Sequence, residues 1–170
     1  MSYLKAFTHL ADTSRVWIYQ ADRAFTPTES EQIASEIKTF VSQWLAHKAK
    51  VIGDGALLYD RFVILAADED KLQVSGCSID STVRFIKELG AKHKVNFFDR
   101  FYTCYVKDGK VEGTDFESFK QLIANGSVSD EAIVFNNLVI KLGDMDTKWQ
   151  IPLSQSWQKK FAGEEVGFKL

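Results

Sequence analysis

The chain is poor in cysteine, proline and histidine, and it has neither a long apolar run nor a surplus of charge of one sign. Two cysteines, Cys77 and Cys104, could pair in principle but are expected free in the cytosol, and they cannot by themselves build a structural zinc site. Two prolines argue against long disordered linkers. The three histidines have no helical or hairpin spacing that would seat a metal, so no metal site is expected. No apolar stretch approaches the roughly 20 residues of a membrane span. Met1–Leu10 has no basic region followed by an apolar core and a cleavage site, so the expected address is cytoplasmic, with no membrane partner. The 21 basic and 23 acidic residues leave a formal charge of −2, which gives no general field to draw in nucleic acid.

Cofactor signatures are missing as well. The Gly109-Lys110 pair is followed by Val111 rather than a hydroxyl residue, and the upstream glycine of a phosphate-binding loop is absent. There is no Gly-x-Ser-x-Gly elbow and no dinucleotide glycine fingerprint. No cofactor is therefore expected.

What remains is an ordinary globular composition, 45% hydrophobic and 26% charged, with 13 Phe, 5 Tyr and 4 Trp. At 170 residues the expectation is a single α+β domain spanning 1–170. Arg15–Gln20 reads as a strand. Thr28 and Glu31 have capping-box spacing, and Ile33, Ile37, Phe40, Val41 and Trp44 recur at helical intervals, fading near His47-Lys48. Gly53-Asp54-Gly55 reads as a turn, followed by two apolar runs, Ala56–Tyr59 and Phe62–Ala67, around Asp60-Arg61. Val83, Ile86 and Leu89 mark a second helix that Gly90 can end. Phe101–Val106 is a strand, and Asp108-Gly109 turns it back into Val111-Glu112. Thr114 and Glu117 have the spacing to cap a short helix that stops at Asn125-Gly126. Asn125-Gly126-Ser127 also matches a glycosylation sequon, but it is better read as a helix stop. Ala132–Leu142 reads as an interrupted strand, Trp149–Leu153 as extended chain and Ser154–Phe161 as a closing helix.

The order strand–helix–strand–strand–helix–strand predicts a mainly antiparallel sheet with helices on one face. That is a split βαβ, ferredoxin-like core with a C-terminal extension. Trp17 and Tyr19 alternate with Val16 and Ile18, so one pair is expected to face a second layer or a partner.

The local chemistry concentrates in Gly76-Cys77-Ser78-Ile79-Asp80-Ser81 at the start of the second helix. A helix start lowers a thiol's pKa and offers unpaired N–H groups to an anion. Cys77 is thus the candidate nucleophile and Asp80 the group that would orient a base. Gly76, Ser78, Ser81 and Arg84 are candidates for holding a phosphate or carboxylate. The bland alternative has Ser78 or Asp80 as the N-cap, Cys77 packed, and Arg84 paired with Asp80 at i,i+4. Asp68-Glu69-Asp70 clusters carboxylates that suit magnesium, but a solvated loop after an apolar strand explains them better.

Gly76–Leu89, together with Val16–Gln20, Tyr59–Ala66 and Ser156–Phe161, resembles a small uncharacterised bacterial protein family. Its members often carry the label "ABC transporter ATPase". The missing phosphate-binding loop contradicts that label here, and the resemblance supplies no substrate or catalytic residue. The first functional expectation is a non-enzymatic binding or interaction protein, with a homodimer or a protein partner. The alternative is an anion binder or thiol-dependent enzyme using Cys77–Asp80.

Overall fold

The computed structural model describes residues 6–70 and 76–163. The fold is α+β with antiparallel sheets, and the chain packs as two compact units. One comprises Met1–Asp99 with Asn137–Asp146, and the other Arg100–Asn136 with Thr147–Leu170.

In the first unit the chain runs β1 (Arg15–Gln20), α1 (Pro27–Gln43), a small hairpin β2 (Leu45–Ala46) and β3 (Ala49–Lys50), β4 (Gly53–Leu58), β5 (Phe62–Ala67) and α2 (Gly76–His93). The sheet order is β1-β5-β4, with β5 antiparallel to both neighbours. Its register sets Trp17 opposite Leu65 and Tyr19 opposite Val63. Alternation then puts Trp17, Tyr19, Val63, Leu65, Ala67 and Leu57 on one face. That face shares a core with Ile33 and Ile37 of α1 and with Ile86 and Leu89 of α2. The layer expected over Trp17 and Tyr19 is thus the two helices. All of Phe62–Ala67 is buried, as its unbroken apolar run requires.

Gly53 and Gly55 are not a turn but the first half of β4. A Cβ on Gly55 would lie 2.5 Å from Ile37 Cγ2 and 2.9 Å from Leu65 Cδ2, and one on Gly53 would lie 3.0 Å from the Trp44 ring. The glycines let α1 settle onto β4. The reversal into β5 comes at Tyr59 and Asp60, both left-handed (φ 54° and 49°), closed by Arg61 N–H donating to Leu58 O at 3.1 Å.

The helix starts also differ from the sequence reading. Thr26, not Thr28, caps α1: its hydroxyl accepts from Glu29 N–H, and Glu29 accepts from Thr26 N–H. Pro27 explains the choice, since it lacks a donor, suits the first helical position and holds Thr26 extended. Gly90 lies inside α2, which continues to His93; the chain turns at Lys94 (φ 53°).

The second unit contains β6 (Thr103–Lys107), β7 (Lys110–Thr114), α3 (Phe116–Ala124), β8 (Ile133–Phe135), β9 (Gln150–Pro152) and the closing α5 (Trp157–Gly163), and α4 (Met145–Lys148) straddles the boundary just before β9. The sheet order is β7-β6-β8-β9. Tyr105, Phe119, Val128, Val134 and Leu153 form its core. Asp115 rather than Thr114 caps α3, because Thr114 is still paired to Thr103 in the sheet.

The strand expected to complete a ferredoxin-like sheet, Phe101–Val106, does not join β1-β5-β4. It forms as Thr103–Lys107, which the tight Asp108-Gly109 turn commits to β7, and Tyr105 pairs with Val134. Beside β1 the backbone of Ile140 and Lys141 takes the place instead, through Val16 N–H to Ile140 O at 3.0 Å and a bridge between Arg15 and Lys141.

Candidate functional site

Helices α1 and α2 run antiparallel, as three successive contacts show. Glu36 meets His93 and Lys92, Phe40 stacks on Phe85, and Trp44 Nε1 donates to Ser78 O at 3.3 Å. Their outer faces border an open groove of about 630 Å³, lined by Ser35, Glu36, Thr39, Phe40 and Gln43 from α1 and by Ser81, Arg84, Phe85, Glu88, Leu89 and Lys92 from α2. The volume is within the usual range for ligand pockets.

The Phe40 and Phe85 rings lie almost parallel, 9° apart with centroids at 4.4 Å. Both are half-buried, so part of each ring reaches the core and part faces the groove. Phe40 also lies against Trp44, which is edge-on to Trp17. The groove floor is thereby continuous with the rigid aromatic core.

One end of the groove is locked. Glu36 Oε1 accepts from Lys92 Nζ at 3.0 Å and lies 3.1 Å from Nε2 of the buried His93. Burial opposes ionisation of Glu36, but the bonds from His93 and Lys92 outweigh it and hold the carboxyl below its ordinary value. Arg23 braces the same corner. Its guanidinium grips Glu29 through two bonds of 2.8 and 2.9 Å and donates to the His93 carbonyl at 2.6 Å. A cation on the final carbonyls of α2 suits the negative end of that helix.

Along the rest of the rim the charges lack such partners. Arg84 and Glu88 are exposed and make no ion pair among the described residues. The i,i+4 pairing of Arg84 with Asp80 is not formed among those residues either.

The residues flagged at the helix start separate. Ser81 and Arg84 line the groove. Gly76 and Asp80 are exposed and outside its lining. Ser78 is fully buried, and its carbonyl accepts from both Trp44 Nε1 and Ser81 Oγ (2.7 Å). The side chain of Cys77 lies outside the described residues.

The histidines lie elsewhere. His93 is sixteen residues along α2 from Cys77, about 24 Å at 1.5 Å per residue. His9 lies 3.7 Å from Asp54, and His47 sits exposed in the β2–β3 turn. Among the described residues no group of three or more His, Cys, Asp or Glu side chains is placed to hold a metal ion. Asp68 and Asp70 instead shape a loop: Asp68 Oδ1 accepts from Asp70 N–H and Asp70 accepts from Thr13. Among the same residues no helix is long and apolar enough to cross a membrane.

Sequence reasoning missed the groove because Phe85 falls one position off the Val83–Ile86–Leu89 stripe. The available signal was a pair of phenylalanines, one on each of two amphipathic helices packed on one sheet face. No protein-family model, curated protein or solved structure matches the chain.

Proposed function

We propose that this is a non-catalytic binding protein whose recognition surface is the α1/α2 groove, and that its ligand is an organic anion with an apolar or aromatic body. The observation that carries the reading is the position of Arg84. This exposed guanidinium has no ion pair among the described residues and borders the same groove as the stacked, half-buried Phe40 and Phe85. An anion would pair with Arg84, assisted by the Gln43 side chain. The ligand's body would cover the ring edges, which are otherwise wetted. Glu36, paired with Lys92, adds little repulsion. A cytoplasmic address and membership of the small bacterial family noted above are part of the proposal. The family's ATPase label offers no competing activity, since the chain has no phosphate-binding loop.

Paired fluorescent probes test this reading. Anilinonaphthalene sulfonate carries an anion, and phenylnaphthylamine is its neutral counterpart. Arg84→Gln should weaken the anionic probe by about fivefold or less, the span of an exposed ion pair worth up to about 1 kcal/mol, and leave the neutral one unchanged. Phe85→Ala should weaken both. Saturable binding that ignores both substitutions would overturn the reading.

A second reading is favoured by one observation. Leu138 and Ile140 are 72% and 61% exposed on the segment that pairs beside β1, an apolar surface suited to a second copy of the chain. Light scattering of the protein and of Ile140→Lys distinguishes a dimer from a monomer.

A further inference from the structure

We infer that Asn125 is a site of spontaneous deamidation whose rate is set by local opening of the α3 C-cap. An asparagine followed by glycine is the least hindered sequence for this reaction, because no side chain shields the attacking nitrogen. The Gly126 nitrogen attacks Cγ of Asn125, the new C–N bond closes a five-membered imide, and the Cγ–Nδ2 bond breaks. The proton from Gly126 leaves with the amide nitrogen as ammonia. Water then opens the imide to aspartate or isoaspartate.

The folded cap blocks the first step in three ways. Gly126 N–H is committed to Ile123 O at 3.1 Å. Asn125 Oδ1 accepts from Ser127 N–H at 2.9 Å, which ties down the side chain to be attacked. Asn125 sits at φ −88°, ψ 2°, and swinging the Gly126 nitrogen onto Cγ requires rotation about ψ, which breaks the bond to Ile123. All three residues are exposed, so water reaches the imide once it forms. Gly126 itself, at φ 76°, occupies the left-handed position that ends the helix.

The latch on this cap is Val128. Its N–H donates to Leu122 O at 3.0 Å, and its side chain, 5% exposed, packs with Tyr105, Phe119, Val134 and Leu153. Deamidation would not be neutral for the helix. It places a negative charge at the negative end of α3, and isoaspartate adds a methylene to the backbone within the cap.

Mass spectrometry of the amide-to-acid conversion at Asn125 tests the proposal in the whole protein and in a synthetic peptide spanning Lys120–Asp130. The peptide should convert, and the folded protein should convert at least about tenfold more slowly, as expected for a reaction that waits on local opening. Val128→Ala should speed conversion in the folded protein. Ile37→Val, a mild core change in the first unit, should not. A folded protein that converts as fast as the peptide would overturn the proposal, as would a peptide that does not convert. Equal acceleration by both substitutions would replace the local gate with global unfolding and overturn it too.

Discussion

Arg23 and Glu29 show how much one half-buried pair can organise. The bonds from Arg23 and from the Thr26 backbone hold the Glu29 carboxyl down to about 2, against an ordinary 4.5. A depressed carboxylate adds stability that is fully present above its ordinary value and is lost as pH falls toward the folded one. The stability that the Arg23–Glu29 pair adds at the α1 start should therefore be lost between about pH 4.5 and 2. In an NMR titration Arg23→Gln should move the Glu29 carboxyl up toward its ordinary range; an unmoved midpoint would mean that Thr26 alone sets it. A second test at this scale concerns Gly55. Alanine there must push against Ile37 and Leu65, so Gly55→Ala should cost about 1–3 kcal/mol in a urea melt. A neutral result would mean that α1 can lift from β4. Cys104, only 1% exposed, should resist iodoacetamide until the protein unfolds, as followed by mass.

Whole elements were legible wherever a periodic run met a strong stop. The β4–β5 reversal, expected at Asp60-Arg61 and formed at Tyr59-Asp60, the β6–β7 hairpin at Asp108-Gly109 and the C-terminal end of α3 at Asn125-Gly126 follow from short-range chemistry. Capping was read at the right spacing but in the wrong register. At α1 the restriction Pro27 imposes on Thr26 outweighed the Thr28–Glu31 pattern, and at α3 the sheet claimed Thr114. Gly53-Asp54-Gly55 looked like a turn because the need for close helix packing cannot be seen along the chain. Ala132–Leu142 shrank to Ile133–Phe135 because the following residues pair beside β1 rather than within the second sheet. At α3, Asp115 accepts from the Ser118 backbone N–H, and that bond holds its carboxyl below the ordinary value. Asp115→Ala should therefore speed amide exchange through α3 while leaving α1 and α2 unchanged. Uniform acceleration would place the cap's effect outside its own helix.

For the molecule as a whole, composition and missing motifs narrowed the function more than any motif that was present. The absent phosphate loop and the near-neutral charge removed nucleotide hydrolysis and nucleic-acid binding from the expectations. Among the described residues of the candidate helix start, only Ser81 and Arg84 line the groove. The aromatic floor came from two residues that no local pattern joins, since Phe40 and Phe85 lie 45 positions apart and meet only when both helices cover the same sheet face. The most direct test of the groove as a recognition surface is a backbone NMR titration with anilinonaphthalene sulfonate. The account predicts saturable shifts concentrated in Ser35–Gln43 and Ser81–Lys92, with the Arg84 and Phe85 amides among the most affected. Shifts centred in β6–β9, or none at saturating probe, would contradict it.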